Sequence, residues 1–526
     1  MKVLIFLSVF LYFCEGAKIL VFIPELGTSH VKHLAKVSEL LAQSHDVTAI
    51  ISPMSYSDAN VDHIKLARRI RLRDNKNLDV LNEIRSEGYL EKMWTNSVGS
   101  PFAIWPKVKY FQKLFATHCQ GVMDNEEMNE FIRNEKFDLA MGELFDTCHF
   151  GMFKIWNIPT HIALGSGHFF SPFFKPFGLT FPITQVPEIH ADYGNKGMGF
   201  VERALNLYYN FFSDQFWGEP QRLIQAMFDA KYGKDFVNLN EVIGDSAYYI
   251  TNSEPLLNYA QNTLPKIIEL GGMANLKVNA LDKKWEDIMN LRNSTVLMSF
   301  GSVAKSYLMP LAWKQNILAV FKSFPDVTFI FKYGKEDGFG KGVDNVIISN
   351  EWLPQVDLLN HPKLSGFITH GGINSMQEGA TAGKPLILVG LFGDQSRNAI
   401  CAEAVGLGKA LPKEHLINFD ILKDMIEEVF IKNNKYKNEA LRIKDILANQ
   451  PLNKTEVFLR HVDFAAKYGS QKMLKMMGTD QNFVERNNLD IYFLIISGFG
   501  TILYFLICVI KKCIGSVTVS KNKKNE

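Results

Sequence analysis

The sequence predicts an α/β protein with two halves of the same strand–helix–strand grammar, followed by one transmembrane helix. Three observations carry this. KILVFIP (18–24) leads through a short turn into an amphipathic helix and then the strand DVTAIIS (46–52). The same order of apolar run, turn and helix returns from STVLMSFGS (294–302) onward, and 20 consecutive uncharged residues stand at 491–510. Alternation of this kind builds parallel sheets covered by helices, and a 20-residue apolar helix spans a hydrocarbon core of about 30 Å.

In the first half, the helix after the turn ELGTSH places Val31, Leu34, Val37 and Leu41 on one face, the spacing of a core-facing stripe. In the second half, a helical stretch to about residue 324 precedes the strands VTFIFKY (327–333), NVIIS (345–349), GFIT (366–369) and PLILVGLF (385–392). Between the halves, SEPLLNYAQNTLPKIIELGGM (253–273) carries two prolines and a glycine pair and reads as the crossing segment. Residues 86–235 are rich in Phe, Trp and Tyr, with SPFFKPFGLTFP (171–182) among them, and break the βα rhythm. An apolar pocket for a small molecule and plain packing on the sheet both fit that composition. Residues 451–478 read as helical.

A chain of 526 residues exceeds what one core accommodates, so two domains with appendages are expected. Charged residues make up 21% and the net charge is +2, which provides neither a basic field for nucleic acid nor an acidic disordered character. At the start, Met1-Lys2, the apolar VLIFLSVFLYF (3–13) and Cys14-Glu15-Gly16 read as a signal segment cleaved after about Gly16. Beyond the span stand Lys511, Lys512, Lys521, Lys523 and Lys524, whereas Glu485, Arg486 and Asp490 precede it, so the tail is expected in the cytoplasm and the large part in the lumen. The ending Lys-Lys-Asn-Glu resembles a di-lysine signal of endoplasmic reticulum membrane proteins; a basic anchor for anionic lipid is the alternative.

Of six cysteines, Cys119, Cys148 and Cys401 fall in the lumenal part, and an odd number cannot all pair. No CxxC or HExxH pattern supports a metal site, so none is expected. Asn293 and Asn453 open N-x-T sequons and are candidate glycan sites.

The chemistry concentrates in FITHGGINSMQEG (367–379). There His370, Gly371 and Gly372 make a strand-to-helix turn, and the helix starting near Asn374 and Ser375 presents free N–H groups and a positive dipole end to a diphosphate. Glu378 falls on the same helix face as Asn374 and can accept from ribose hydroxyls. Upstream, Trp352 can stack on a base while Gln355 reaches its sugar; downstream, Asp394 and Gln395 suit a hexose. Taken singly, each has a structural reading as turn, core residue or helix cap. GATAGK (379–384) is not a P-loop: only three residues separate its glycines, and Pro385 follows the lysine.

The block FITHGGINSMQEGATAGKPLILVGLFGDQ (367–395) resembles the signature of the UDP-glycosyltransferases, particularly the membrane-bound UDP-glucuronosyltransferases. The likeness continues through GTSH, TLPKIIELGG, SFGS, EWLPQ, the span and the lysine tail. It implies a GT-B fold, two Rossmann-like domains facing across a cleft, with the acceptor on the first and the UDP-sugar on the second. The divisions expected are a signal (1–16), an acceptor-binding domain (17–270), a UDP-sugar-binding domain (271–450), a helical return segment (451–490), the span (491–510) and the tail (511–526). Carried over by position, Ser302 and His370 contact phosphate, Trp352 stacks on uracil, Gln355 and Glu378 bind ribose, Asn374 and Ser375 hold the diphosphate, and Asp394 and Gln395 read sugar hydroxyls. The family usually has proline where this chain has Gly390, a departure expected to loosen the strand end.

The implied reaction is inverting transfer of glucuronic acid from UDP-glucuronate to a hydroxyl of a small lipophilic acceptor. UDP-glucose as donor is the alternative, and a non-catalytic sugar-nucleotide binder a more distant one. No cofactor is implied, since the UDP-sugar is a co-substrate; membrane lipid and a second copy of the chain are the remaining partners. His30, in the turn GTSH, is the expected general base, with His33 expected at the surface. The family's usual aspartate partner aligns with Glu143, one methylene longer, and Asp146 is the other candidate.

Overall fold

Strands that are apolar on both faces need helices on either side, and the chain builds two such sheets. The computed structural model describes residues 16–54, 64–72, 87–96, 101–194, 196–273, 278–432, 434–479 and 481–522. The segment read as a signal (1–15 of it) and Lys523 and Lys524 lie outside these residues.

Among the described residues the first sheet has seven strands: β1 (Lys18–Pro24), β2 (Asp46–Ser52), β3 (Arg68–Arg71), β4 (Leu139–Glu143), β5 (Thr160–Gly165), β6 (Tyr249–Thr251) and β7 (Ile267–Glu269). Their spatial order is β3-β2-β1-β4-β5-β6-β7, and every neighbouring pair is parallel. The second has six: β8 (Ser294–Ser299), β9 (Val327–Lys332), β10 (Val346–Ser349), β11 (Leu364–Thr369), β12 (Leu386–Leu388) and β13 (Gly408–Ala410). Their order is β10-β9-β8-β11-β12-β13, again parallel. In each sheet the chain reverses its direction of winding once, between β1 and β4 and between β8 and β11. Crevices at the carboxyl ends of such strand pairs are where open α/β sheets receive ligands.

Helix α1 (Thr28–Leu41) covers β1 with Val31, Leu34, Val37 and Leu41, all fully buried. His33 is buried too, not at the surface as expected. The segment read as the crossing contains β7, because Ile267 and Ile268 pair with Tyr249 and Ile250, so the chain leaves the first sheet later than its prolines suggest. The aromatic region proves to be mostly core. Phe169 stacks on Phe174 at 4.1 Å and Phe177 on Tyr249 at 5.5 Å, and a cavity of about 20 Å³ remains beside Phe145, Phe173 and Trp217.

Two segments tie the halves together. Trp94, on helix α2 (Glu87–Thr95), is fully buried in the second half's core, 5.1 Å from Phe300, and its indole N–H donates to the Lys305 carbonyl. Helix α3 (Lys454–Tyr468) returns to the first half, burying Phe458, Val462 and Ala465 with Ile19 and Val21. Cys119 and Cys148 form a disulfide; Cys401 and Cys508 are free.

Residues 476–526 form a separate unit. It contains α4 (Leu489–Asn522), which is longer than the expected span and whose portion Leu489–Lys512 is long and apolar enough to cross a membrane.

Candidate active site

Because β1, β4 and β5 are neighbours, the residues just past their carboxyl ends converge. Gly27 keeps extended backbone and caps α1, so His30 sits in the first turn of that helix. Glu143 closes β4 and Ser166 follows β5. His30 Nδ1 lies 2.9 Å from both carboxylate oxygens of Glu143. The Ser166 backbone N–H donates to Glu143 Oε1 at 2.9 Å, its hydroxyl donates to the same oxygen, and its Oγ is 2.8 Å from His30 Nδ1. Nδ1–H therefore donates to the carboxylate, and Nε2 keeps its lone pair with no bond to a described residue.

Burial works against charge on both partners, but their mutual attraction outweighs it. The His30 pKa ends above the ordinary histidine value, with Glu143 the main raising influence and Asp394 a smaller one. Glu143 ends below the ordinary carboxylate range, held there by His30 and Ser166 against the opposing effect of its own burial. The Phe145 ring stands nearly perpendicular to the imidazole, with ring centres 5.0 Å apart.

Asp146 is not brought to His30. Three residues beyond the strand end, it is turned into the core, where Oδ1 accepts from the Cys148 N–H and Oδ2 lies 3.3 Å from His118 and 3.5 Å from His149. Of the two candidate partners for His30, only Glu143 touches it. Ser166 was missed by the sequence reading: a serine after a buried strand carries no local signal.

At the second sheet, His370 follows β11, and Gly371 takes a left-handed conformation with φ 81°. Gly372 caps the helix Ile373–Ala382, so the helix begins one residue before the expected start. Gly301, with φ 79°, precedes Ser302 in the turn after β8, and a β-carbon there would stand 2.8 Å from His370 Cε1. Burial and then Lys332 lower the His370 pKa to about 4, which leaves the ring neutral. Gln355 donates to Glu378 Oε2 at 2.7 Å and to Ser375 Oγ at 3.2 Å, joining three of the expected residues. Burial raises the Glu378 pKa, against the Gln355 bond and two nearby lysines. Trp352 is 61% exposed.

Asn374 makes a further contact. Its Oδ1 accepts from Asn252 of the first half at 2.8 Å, so the side chain joins the two halves while its NH₂ and the backbone N–H remain for an anion. Asp394 caps the helix Gln395–Ala404, with Oδ2 accepting from Asn398 at 2.8 Å. Gln395 Oε1 accepts from the Leu391 and Phe392 N–H groups, so its NH₂ is what it can offer a ligand. At Gly390 a β-carbon would lie 2.5 Å from Ser396 Oγ and 2.8 Å from Ser396 N. In this chain the helix Gln395–Ala404 starts close enough to the strand that glycine fits there without displacing Ser396. GATAGK forms the end of the helix at Ile373–Ala382, with Gly383 as its left-handed cap. Among the described residues no cluster of three or more His, Cys, Asp or Glu could hold a metal ion.

Two parallel sheets with residues converging at both reversal points make the GT-B fold, and solved glycosyltransferases share it. The glycosyltransferase CalG4 of calicheamicin matches with a TM-score of 0.57 at 14% identity, over 87% of this chain and 100% of the other. Phytolacca americana UGT2, solved with UDP-2fluoro-glucose and pterostilbene, matches with a TM-score of 0.58 at 14% identity, over 86% and 99%. The chain belongs to the UDP-glucoronosyl and UDP-glucosyl transferase family, whose sequence model matches residues 17–525. Among its relatives is the UDP-glucuronosyltransferase 3A1 of Bos taurus, 26% identical over 93% of this chain and 92% of its own.

Proposed function

We propose that this glycosyltransferase moves glucuronic acid from UDP-glucuronate to a hydroxyl of a small lipophilic acceptor, with inversion and with His30 as the general base. The observation that carries the reading is the His30 imidazole, held at Nδ1 by buried Glu143 with Nε2 unbonded. Nε2 takes the proton of the acceptor hydroxyl as its oxygen attacks the sugar carbon opposite the diphosphate. The bond to the diphosphate oxygen breaks, UDP leaves with the electron pair, and the proton stays on His30 as an imidazolium that Glu143 stabilises without itself being protonated.

The leaving diphosphate is met by the first N–H groups of the helix at Ile373–Ala382, by Ser302 and by the neutral N–H of His370. Trp352 stacks on uracil, Gln355 and Glu378 hold ribose, and Asp394 and Gln395 read the sugar. The acceptor enters beside Phe145, Phe173 and Trp217, where the cavity of about 20 Å³ has room for roughly one water and an aromatic ring must swing aside. Glucuronate is favoured by the names of relatives such as UDP-glucuronosyltransferase 3A1.

The test is turnover of a phenol panel in microsomes with UDP-glucuronate and UDP-glucose side by side, with His30→Ala as control. Glucuronide formation that His30→Ala abolishes, while UDP still binds, is expected; glucosides alone would reassign the donor, and an active His30→Ala would refute the base. The span anchors the chain in the endoplasmic reticulum membrane with the sheets in the lumen, where exposed Asn293 and Asn453 can carry glycans. Protease added to sealed microsomes should then trim only the tail beyond the span, and digestion of the large unit would refute this orientation.

A further inference from the structure

We propose that Lys32, on helix α1, and Lys332, at the end of β9, jointly bind the diphosphate of the donor, so that the half carrying His30 also grips the nucleotide. The proposal rests on the reading of Trp352 and its neighbours as the donor site.

Lys32 lies two residues after His30. Its Nζ stands 3.4 Å from the centre of the Trp352 ring, and Lys332 Nζ stands 4.5 Å from the same centre. Two ammonium groups from opposite halves thus lie against one exposed indole, close enough for Lys332 to act on Lys32. Cations gather on aromatic faces, but two of them repel each other unless an anion lies between, and neither lysine makes an ion pair with a described residue. Lys36, one turn along α1, makes none either. The carboxylate whose field Lys32 and Lys36 feel, Glu378, is hydrogen-bonded to Gln355.

Lys332 also donates to the Gly301 carbonyl at 2.9 Å, beside the turn where a β-carbon would touch His370. It therefore bridges the indole and the residues that face the phosphates. A ligand that satisfies the arrangement has a flat ring for Trp352 and at least two negative charges within reach of both amines, which describes a nucleoside diphosphate. Burial, followed by Lys332 and Lys36, lowers Lys32 to about 8, and burial with Lys305 does the same to Lys332. A neighbouring polyanion would reverse both shifts.

The experiment compares inhibition by UDP and by uridine in the full chain, in wild type, Lys32→Gln, Lys332→Gln and Lys32→Arg. Loss of a charge-assisted phosphate bond should weaken UDP by about 10- to 100-fold in each glutamine variant and leave uridine within about twofold, while Lys32→Arg stays close to wild type. Equal weakening of UDP and uridine would overturn the proposal, because Lys32 would then act only by packing on Trp352. Tighter uridine with unchanged UDP would overturn it as well, since Lys32 would merely cover the ring. A wild-type chain that UDP does not inhibit would sink the donor-site reading itself, and this proposal with it.

Discussion

Glu143→Gln removes one charge from the candidate site and almost nothing else. The amide keeps an oxygen that can accept the Nδ1–H of His30 and the Ser166 N–H, both now at 2.9 Å. What disappears is the attraction for an imidazolium. A pair of unit charges at this separation, in an effective dielectric of about 20, interacts by about 6 kcal/mol, from which the burial of both groups subtracts. If about half survives as stabilisation of the transition state, the loss is about 3 kcal/mol, or about 10²-fold in rate. The pH profile separates this cause from misfolding. His30 must be neutral to accept a proton, so activity falls as the pH drops through its pKa. In wild type that pKa lies above the ordinary 6.5, so the acid limb should lie above 6.5. In Glu143→Gln burial is opposed only weakly, by Asp394, and the limb should fall below 6.5. The assay is kcat/KM against pH for one phenol. An unmoved limb in Glu143→Gln would refute the pairing, and so would an Asp146→Asn variant that shifts it, because Asp146 faces His118 and His149 instead.

Three further outcomes are expected. Trp352→Ala should weaken UDP by about 1–3 kcal/mol, the scale of base stacking on an aromatic side chain; unchanged UDP affinity in a folded variant would remove the ring from the site. Gly390→Ala should lower stability by about 1–3 kcal/mol, because the new methyl meets Ser396 at 2.5 Å; an unchanged melting temperature would mean that the helix start moves freely. Replacing Cys119 and Cys148 by serine should cost about 3–4 kcal/mol, since their bond closes a loop with a sequence separation of 29, and equal denaturant midpoints with and without the bond would contradict that.

The features legible from residue order alone are those built from contiguous residues. A strand that ends in His370-Gly371-Gly372 and restarts as a helix needs no distant partner to be recognised: the glycine at φ 81° and the free N–H groups belong to one short segment. The same holds for the turn that carries His30, for the stripe of α1 and for the apolar run of the span. Pairings between segments were beyond that reach. Glu143 and Asp146 stand three residues apart with similar chemistry, and only the neighbouring of β1, β4 and β5 puts one against His30 and sends the other into the core. The placement of Ser166 beside both, the use of Asn374 to bond Asn252, the burial of Trp94 in the other half and the meeting of Lys32 with Trp352 all join residues far apart in the chain. Local propensity and hydrophobic period act over one or two turns of backbone, so they specify where elements start and which face is apolar. Which elements become neighbours depends on the order of strands in the two sheets, and that order is a property of the folded chain as a whole.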